Sequence, residues 1–188
     1  MSSKSRLTHL SLTNVNVGTS FETCTFPVLT HLHLDTNNTI QSLLSAICAV
    51  QDTLRCLSVS VAYEDEDVPL PSQLTLTNLL CLRFGYLSLF TREIYALFGH
   101  VNCPDIIITG NMRVDRPYLM EELQILLDGG IFPGLERLSV GGRDNKPFPV
   151  DRYQSFMDVC TRRGIRLDQS LDTIRLPSCF AVNDLAFD

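Results

Sequence analysis

One spacing of apolar residues keeps returning along the chain: an apolar residue, another three positions later, and a third two after that. It reads Leu7-x-x-Leu10-x-Leu12, Leu29-x-x-Leu32-x-Leu34, Leu54-x-x-Leu57-x-Val59 and Leu79-x-x-Leu82-x-Phe84. It continues as Cys103-x-x-Ile106-x-Ile108, Leu135-x-x-Leu138-x-Val140 and, more weakly, Arg162-x-x-Ile165-x-Leu167. The starts lie 22, 25, 25, 24, 32 and 27 residues apart. The second and third apolar positions alternate with polar ones, which is the period of a short strand with one buried face. Each unit therefore predicts a strand and then a return path to the next one.

Several returns carry the i, i+3, i+4, i+7 stripe of an amphipathic helix. Thr39 could cap one through Ile40, Leu43, Leu44, Ile47 and Val50, and Thr91 stands before Ile94, Leu97 and Phe98. Pro117 suits a first helical turn ahead of Leu119, Leu123, Leu126 and Leu127, with Gly129-Gly130 as the stop. Asp151 is the expected cap of a last helix carrying Tyr153, Phe156, Met157 and Cys160 and ending at Gly164. Returns 18–27 and 62–73, rich in Gly, Pro and charge, read as irregular. Gly141-Gly142 reads as a turn.

A period in the twenties with this internal spacing resembles the leucine-rich repeats. The resemblance implies an α/β solenoid: a curved parallel sheet on the concave side, with helices and loops on the convex side. Residues 1–188 then form a single domain of about seven irregular repeats. A one-residue slip would turn every core leucine outward, so the register is tightly constrained. Many such repeats hold an asparagine three residues after the third apolar position. Here Asn37 and Asn111 occupy it, while Val15, Ala62, Leu87 and Arg143 stand in other repeats. Repeat length and helical returns resemble the ribonuclease-inhibitor-like and cysteine-containing subclasses. Solenoid ends need capping. Leu171-x-x-Ile174-x-Leu176 suggests a capping strand within a C-terminal cap over 168–188. Before Leu7 the sequence offers no cap, so a preceding segment, a partner or edge-mediated pairing of copies is expected there.

Composition narrows the partners. The net charge is −6, and no basic run exists, so a nucleic-acid backbone is not expected as ligand. The longest like-charge run, Glu64-Asp65-Glu66-Asp67, reads as a solvated loop. No stretch approaches a membrane span, and no leader-like apolar segment opens the chain. Seven cysteines, none in a CxxC pair, recur at repeat-like intervals. They read as reduced, small apolar residues of a cytoplasmic or nuclear protein.

Residues between the apolar positions face the concave side. The first such row is His9, His31, Cys56, Cys81, Asp105, Arg137 and Gly164; the second is Ser11, His33, Ser58, Arg83, Ile107, Ser139 and Arg166. The third is Thr13, Asp35, Ser60, Gly85, Thr109, Gly141 and Asp168. The candidate partner-binding residues are His9, His31, His33, Asp35, Arg83, Asp105, Arg137, Arg166 and Asp168. His9, His31, His33 and Cys56 could hold zinc if their side chains converged, but a parallel ladder points them side by side, so no metal site is assigned. Cys56, His31 and Asp35 supply the residue types of a thiol enzyme, yet on a shallow surface with nothing to exclude water. No GxSxG, HExxH or phosphate-binding glycine loop occurs, and no cofactor is expected.

The repeats are most similar to the repeat region of fungal-type F-box proteins, although this chain holds no recognisable F-box. That resemblance implies a protein-interaction module binding its partner on the concave face, as the substrate-recognition part of a ubiquitin-ligase receptor. The alternatives are a self-contained inhibitor or scaffold of ribonuclease-inhibitor-like type, and a metal-dependent or thiol enzyme using the His and Cys rows.

Overall fold

The computed structural model describes residues 6–13, 26–36, 40–61, 74–85, 97–110, 117–142 and 153–168. Seven strands form one open, all-parallel sheet in sequence order. They are β1 His9–Thr13, β2 His31–Thr36, β3 Cys56–Val61, β4 Cys81–Gly85, β5 Asp105–Gly110, β6 Arg137–Gly142 and β7 Arg166–Asp168. Three helices are described: α1 Ile40–Cys48, α2 Pro117–Asp128 and α3 Gln154–Arg162. This is an α/β arrangement of short strands and returning helices, compatible with a repeat solenoid.

The apolar triplets become columns of one core. Leu32, Leu57, Leu82, Ile106 and Leu138 are mutual register partners across β2 to β6, and all are buried. Leu34, Val59, Phe84, Ile108 and Val140 form the next column. From the helix side, Leu44 and Ile47 of α1, Leu123 and Leu127 of α2, and Phe156 and Val159 of α3 join the same cluster. Phe98 meets Phe84 edge-on, with centroids 5.5 Å apart. Burying such side chains stabilises the fold by roughly 1.5–3 kcal/mol each.

The repeats are stitched together at one recurring point. The carbonyl just before each of four strands accepts two backbone N–H groups from the next repeat, using both its lone pairs. Thr8 O accepts from Thr30 and His31, and Thr30 O from Arg55 and Cys56. Arg55 O accepts from Leu80 and Cys81, and Pro104 O from Glu136 and Arg137. This point fixes where each strand begins and thereby which side chains share a row.

Pro117 is the first residue of α2, as its fixed φ favours. Gly130 and Gly164 end α2 and α3 with φ of 85° and 69°, in the left-handed region that glycine enters without steric cost. Phe132 is a non-glycine residue in that region, at φ 56°; its ring is buried, and its N–H donates to Gly99 O at 2.7 Å. Arg163 reaches back to this turn. Its Nη1 donates to Leu127 O and Ile131 O, and its Nη2 to Phe132 O, at 2.7–2.8 Å. One guanidinium thus bridges a carbonyl in the last turn of α2 and two in the turn that follows it.

Three sequence expectations need correction. In β7, Arg166 pairs with Arg137, Leu167 with Leu138 and Asp168 with Ser139. The seventh strand is therefore displaced by two residues from the Arg162-x-x-Ile165-x-Leu167 alignment. A two-residue shift keeps every side chain on its face, so the hydrophobic pattern alone did not resist it. Gly141 and Gly142 continue β6 beside Thr109 and Gly110 and do not turn the chain there. Tyr153 precedes α3 as its N-cap residue, with no capping side-chain bond, and does not lie within the helix. Thr39, Thr91, Asn37, Asn111, Asp151, returns 62–73 and the cap after Asp168 lie outside the described residues. No helix among the described residues is long and apolar enough to cross a membrane.

Candidate functional site

The strand residues that do not enter the core project from the opposite, open face of the sheet. Register places them in rows. The first is His9, His31, Cys56, Cys81, Asp105, Arg137 and Arg166; the second is Ser11, His33, Ser58, Arg83, Ile107, Ser139 and Asp168. The third holds Thr13, Asp35, Ser60, Gly85, Thr109 and Gly141. The slip in β7 moves Arg166 up beside Arg137 and Asp168 beside Ser139.

At the β1–β2 end the row is aromatic. The imidazoles of His9 and His31 stack with centroids 3.9 Å apart and planes inclined by 11°. Each Nδ1 shares a hydrogen bond with the preceding threonine hydroxyl, Thr8 at 2.9 Å and Thr30 at 2.8 Å. The repeat of a Thr-His pair 22 residues on produces the repeat of the geometry. His33 bonds Ser58 Oγ through Nδ1 at 2.8 Å. Burial lowers the pKa of His31 below its ordinary value, and the neighbouring His9 adds to this. Burial also lowers that of His33, with Arg83 adding and Asp35 opposing.

At the β5–β7 end the row is ionic. Arg137 Nε donates to Asp105 Oδ1 at 3.0 Å and its Nη2 donates to Oδ2, a bidentate pair. The Asp105 side chain is 13% exposed and that of Arg137 39%. The hydrogen bond to Asp105 raises the pKa of Arg137 further. Arg166 Nε donates to Asp168 Oδ1 at 3.1 Å, leaving the Arg166 side chain 73% exposed.

Between the two ends lies a stretch of small residues. Ser58, Ser60, Cys56 and Cys81 are buried even though they stand on the open face, and so is Ser139 within the ionic end. Ser58 is flanked in register by His33 and Arg83, whose longer side chains shield it. At Gly85 an added Cβ would come within 3.3 Å of Ser60 Oγ, so the backbone is closely approached there. Facing the open side does not by itself expose a residue: a small side chain between long neighbours stays buried.

The structure thus brings His9, His31 and His33 together, pairs Asp105 with Arg137 and Arg166 with Asp168, and leaves Asp35, at the histidine end, and Arg83, between the two ends, half-buried. It does not converge His9, His31, His33 and Cys56 on one point: stacked parallel rings direct their nitrogens side by side. Among the described residues no group of three or more His, Cys, Asp or Glu could hold a metal ion. Asp35 and His31 lie on one strand four residues apart, about 13 Å at the rise of a strand, too far for the carboxylate to orient the imidazole. Arg163 was missed by sequence reasoning; Gly164 marked the helix end without saying where the neighbouring side chain goes. Compared with protein-family models, curated proteins and solved structures, the chain matches none.

Proposed function

We propose that the chain is a leucine-rich-repeat solenoid that binds a protein partner on the open, concave face of its sheet, as the substrate-recognition part of an F-box-type receptor. The observation that carries the reading is the in-register alignment of non-core side chains across all six strand pairs. It supplies a continuous surface with arginine at one end and imidazole at the other, and such residues serve as interface anchors. The bidentate pair with Asp105 orients Arg137 before any partner arrives, which lowers the ordering cost of binding. A cytoplasmic or nuclear setting fits the five described cysteines, none of which is in a disulfide.

Proteins that co-purify in stoichiometric amount with the chain from its own cells test the reading. A Skp-type adaptor among them supports the ligase receptor; another single partner without it supports an inhibitor or scaffold. Arg166→Glu should weaken binding of that partner at least tenfold, about 1.4 kcal/mol. Because Arg166 is largely exposed, Tm should shift by no more than about 3 °C. Unchanged affinity would remove the open face from the interface.

A further inference from the structure

The sheet ends on two edges, β1 and β7, and their side chains treat a further strand differently. β7 is three residues long and carries the Arg166–Asp168 ion pair, whose arginine is largely exposed. Short length and charge keep such an edge from pairing. β1 is five residues long, with no carboxylate, lysine, arginine or proline to discourage an incoming strand. His9, Ser11 and Thr13 are exposed, and Leu10 and Leu12 are only half-buried.

The backbone of β1 decides what can add to it. Thr8 O accepts from Thr30 and His31 and so faces β2. Backbone groups alternate in direction along a strand. Leu10 and Leu12 therefore continue that ladder, while His9, Ser11 and Thr13 turn their N–H and C=O groups to the outer edge. Every second residue is the interval at which antiparallel strands exchange paired hydrogen bonds. The strand is also symmetric in kind about Ser11, with a leucine on either side and then a polar residue at each end. Such a strand is complementary to its own reversed copy, as a twofold interface requires. Joining β1 of one copy to β7 of the next would set the charged edge against it and leave the row of copies open-ended. Two β1 strands close at two copies.

We propose that two copies of this chain pair through β1, antiparallel about a twofold axis at Ser11, so that their sheets become one. Ser11 then stands opposite Ser11 of the second copy, and His9 opposite its Thr13, each pair exchanging both backbone hydrogen bonds. On the core side Leu10 meets Leu12 of the second copy at the closer Cα spacing of about 4.5 Å, which covers the flank of both leucines. A slip by one residue would turn the second copy over and set its leucines on the open face of the first. The open face of both copies stays uncovered, so the pairing is independent of what binds there.

Sedimentation equilibrium over a concentration series from low micromolar to near-millimolar is the test. The mass should rise from 21.1 kDa to twice that and stop there. Ser11→Lys and Ser11→Glu should each weaken association at least tenfold when alone, because like charges directly opposite repel. Mixing the two variants should restore it, since Lys and Glu then face each other across the axis. Ser11 is exposed, so both variants should keep the fold, which far-ultraviolet circular dichroism checks; the mass of the unmodified chain stands without any variant. A wild type that stays monomeric throughout, or one that grows beyond two copies, overturns the proposal. So does a dimer that survives both single charges, or a mixture that associates no better than its components.

Discussion

The two ends of the sheet obey one backbone rule and arrive at different structures. Leu7 and Leu29 occupy the same position of successive repeats, yet Leu7 is 40% exposed and Leu29 fully buried. Leu10 and Leu12 are only partly buried against the core, while their register partners Leu32 and Leu34 are completely so. At the opposite end α2 packs against α3 and α3 against β7, and Arg163 ties the last helix to the turn after α2. A repeat gains its burial from both neighbours, so a terminal repeat is stable only as far as something covers its outer side. Among the described residues, that cover is better built at the C-terminal end.

Two substitutions in one core column put this difference to the sharpest test. Leu138→Ala, in β6, should cost about 3 kcal/mol, because it empties a fully packed site that cannot collapse. Leu10→Ala, in β1, should cost about 1 kcal/mol, since part of that side chain already meets water. Urea denaturation of both variants measures the contrast. Equal losses would mean that the first strand is buried as deeply as the sixth.

Arg163 comes next in size. Replacing it with Met keeps the aliphatic stem and removes three hydrogen bonds from a charged donor, for an expected loss of about 2 kcal/mol after allowing for its partial exposure. The carbonyls it caps belong to Leu127, Ile131 and Phe132, and Phe132 sits in a backbone conformation unfavourable for a bulky residue. Amide exchange should therefore accelerate first at Ile131 and Phe132. If protection falls evenly through the chain instead, Arg163 does not lock that turn in particular.

How much of this could be read from the sequence depends on the range of the interaction that decides it. The strand columns were legible because Leu, Ile and Val recur at fixed spacing, and a one-residue error would have exposed them all. The seventh strand was misread by two residues because Ile165 and Leu167 share a parity that either alignment satisfies. The row containing Asp105 and Arg137 was legible, and strand spacing then makes their pairing natural. Burial of Ser58 and Ser139 was not, because it is imposed by longer side chains on neighbouring strands. The role of Arg163 was least legible of all: its acceptors lie 31 to 36 residues away and are backbone carbonyls, which leave no mark in the choice of side chain.

The smallest effect separates the two ends of the open face by acid. His31 and His33 both have folded-state pKa values lowered from 6.5, chiefly by burial. His31 also faces His9 and Arg55; His33 faces Arg83, with Asp35 acting in the opposite sense. As pH falls below about 6.5 the unfolded chain takes up these protons before the folded chain does, so stability present above that pH declines until the folded pKa values are passed. In urea titrations between pH 7 and about 5, above the range where ordinary carboxylates titrate, the wild type should lose stability steadily. The double variant His31→Gln, His33→Gln should lose clearly less over the same interval, whereas Asp105→Asn, at the ionic end, should leave the slope as it is and lower the whole curve. A wild-type curve flat across this interval would mean that protonation of the imidazoles costs the folded state nothing, and the histidine end would then be no more acid-sensitive than the arginine end.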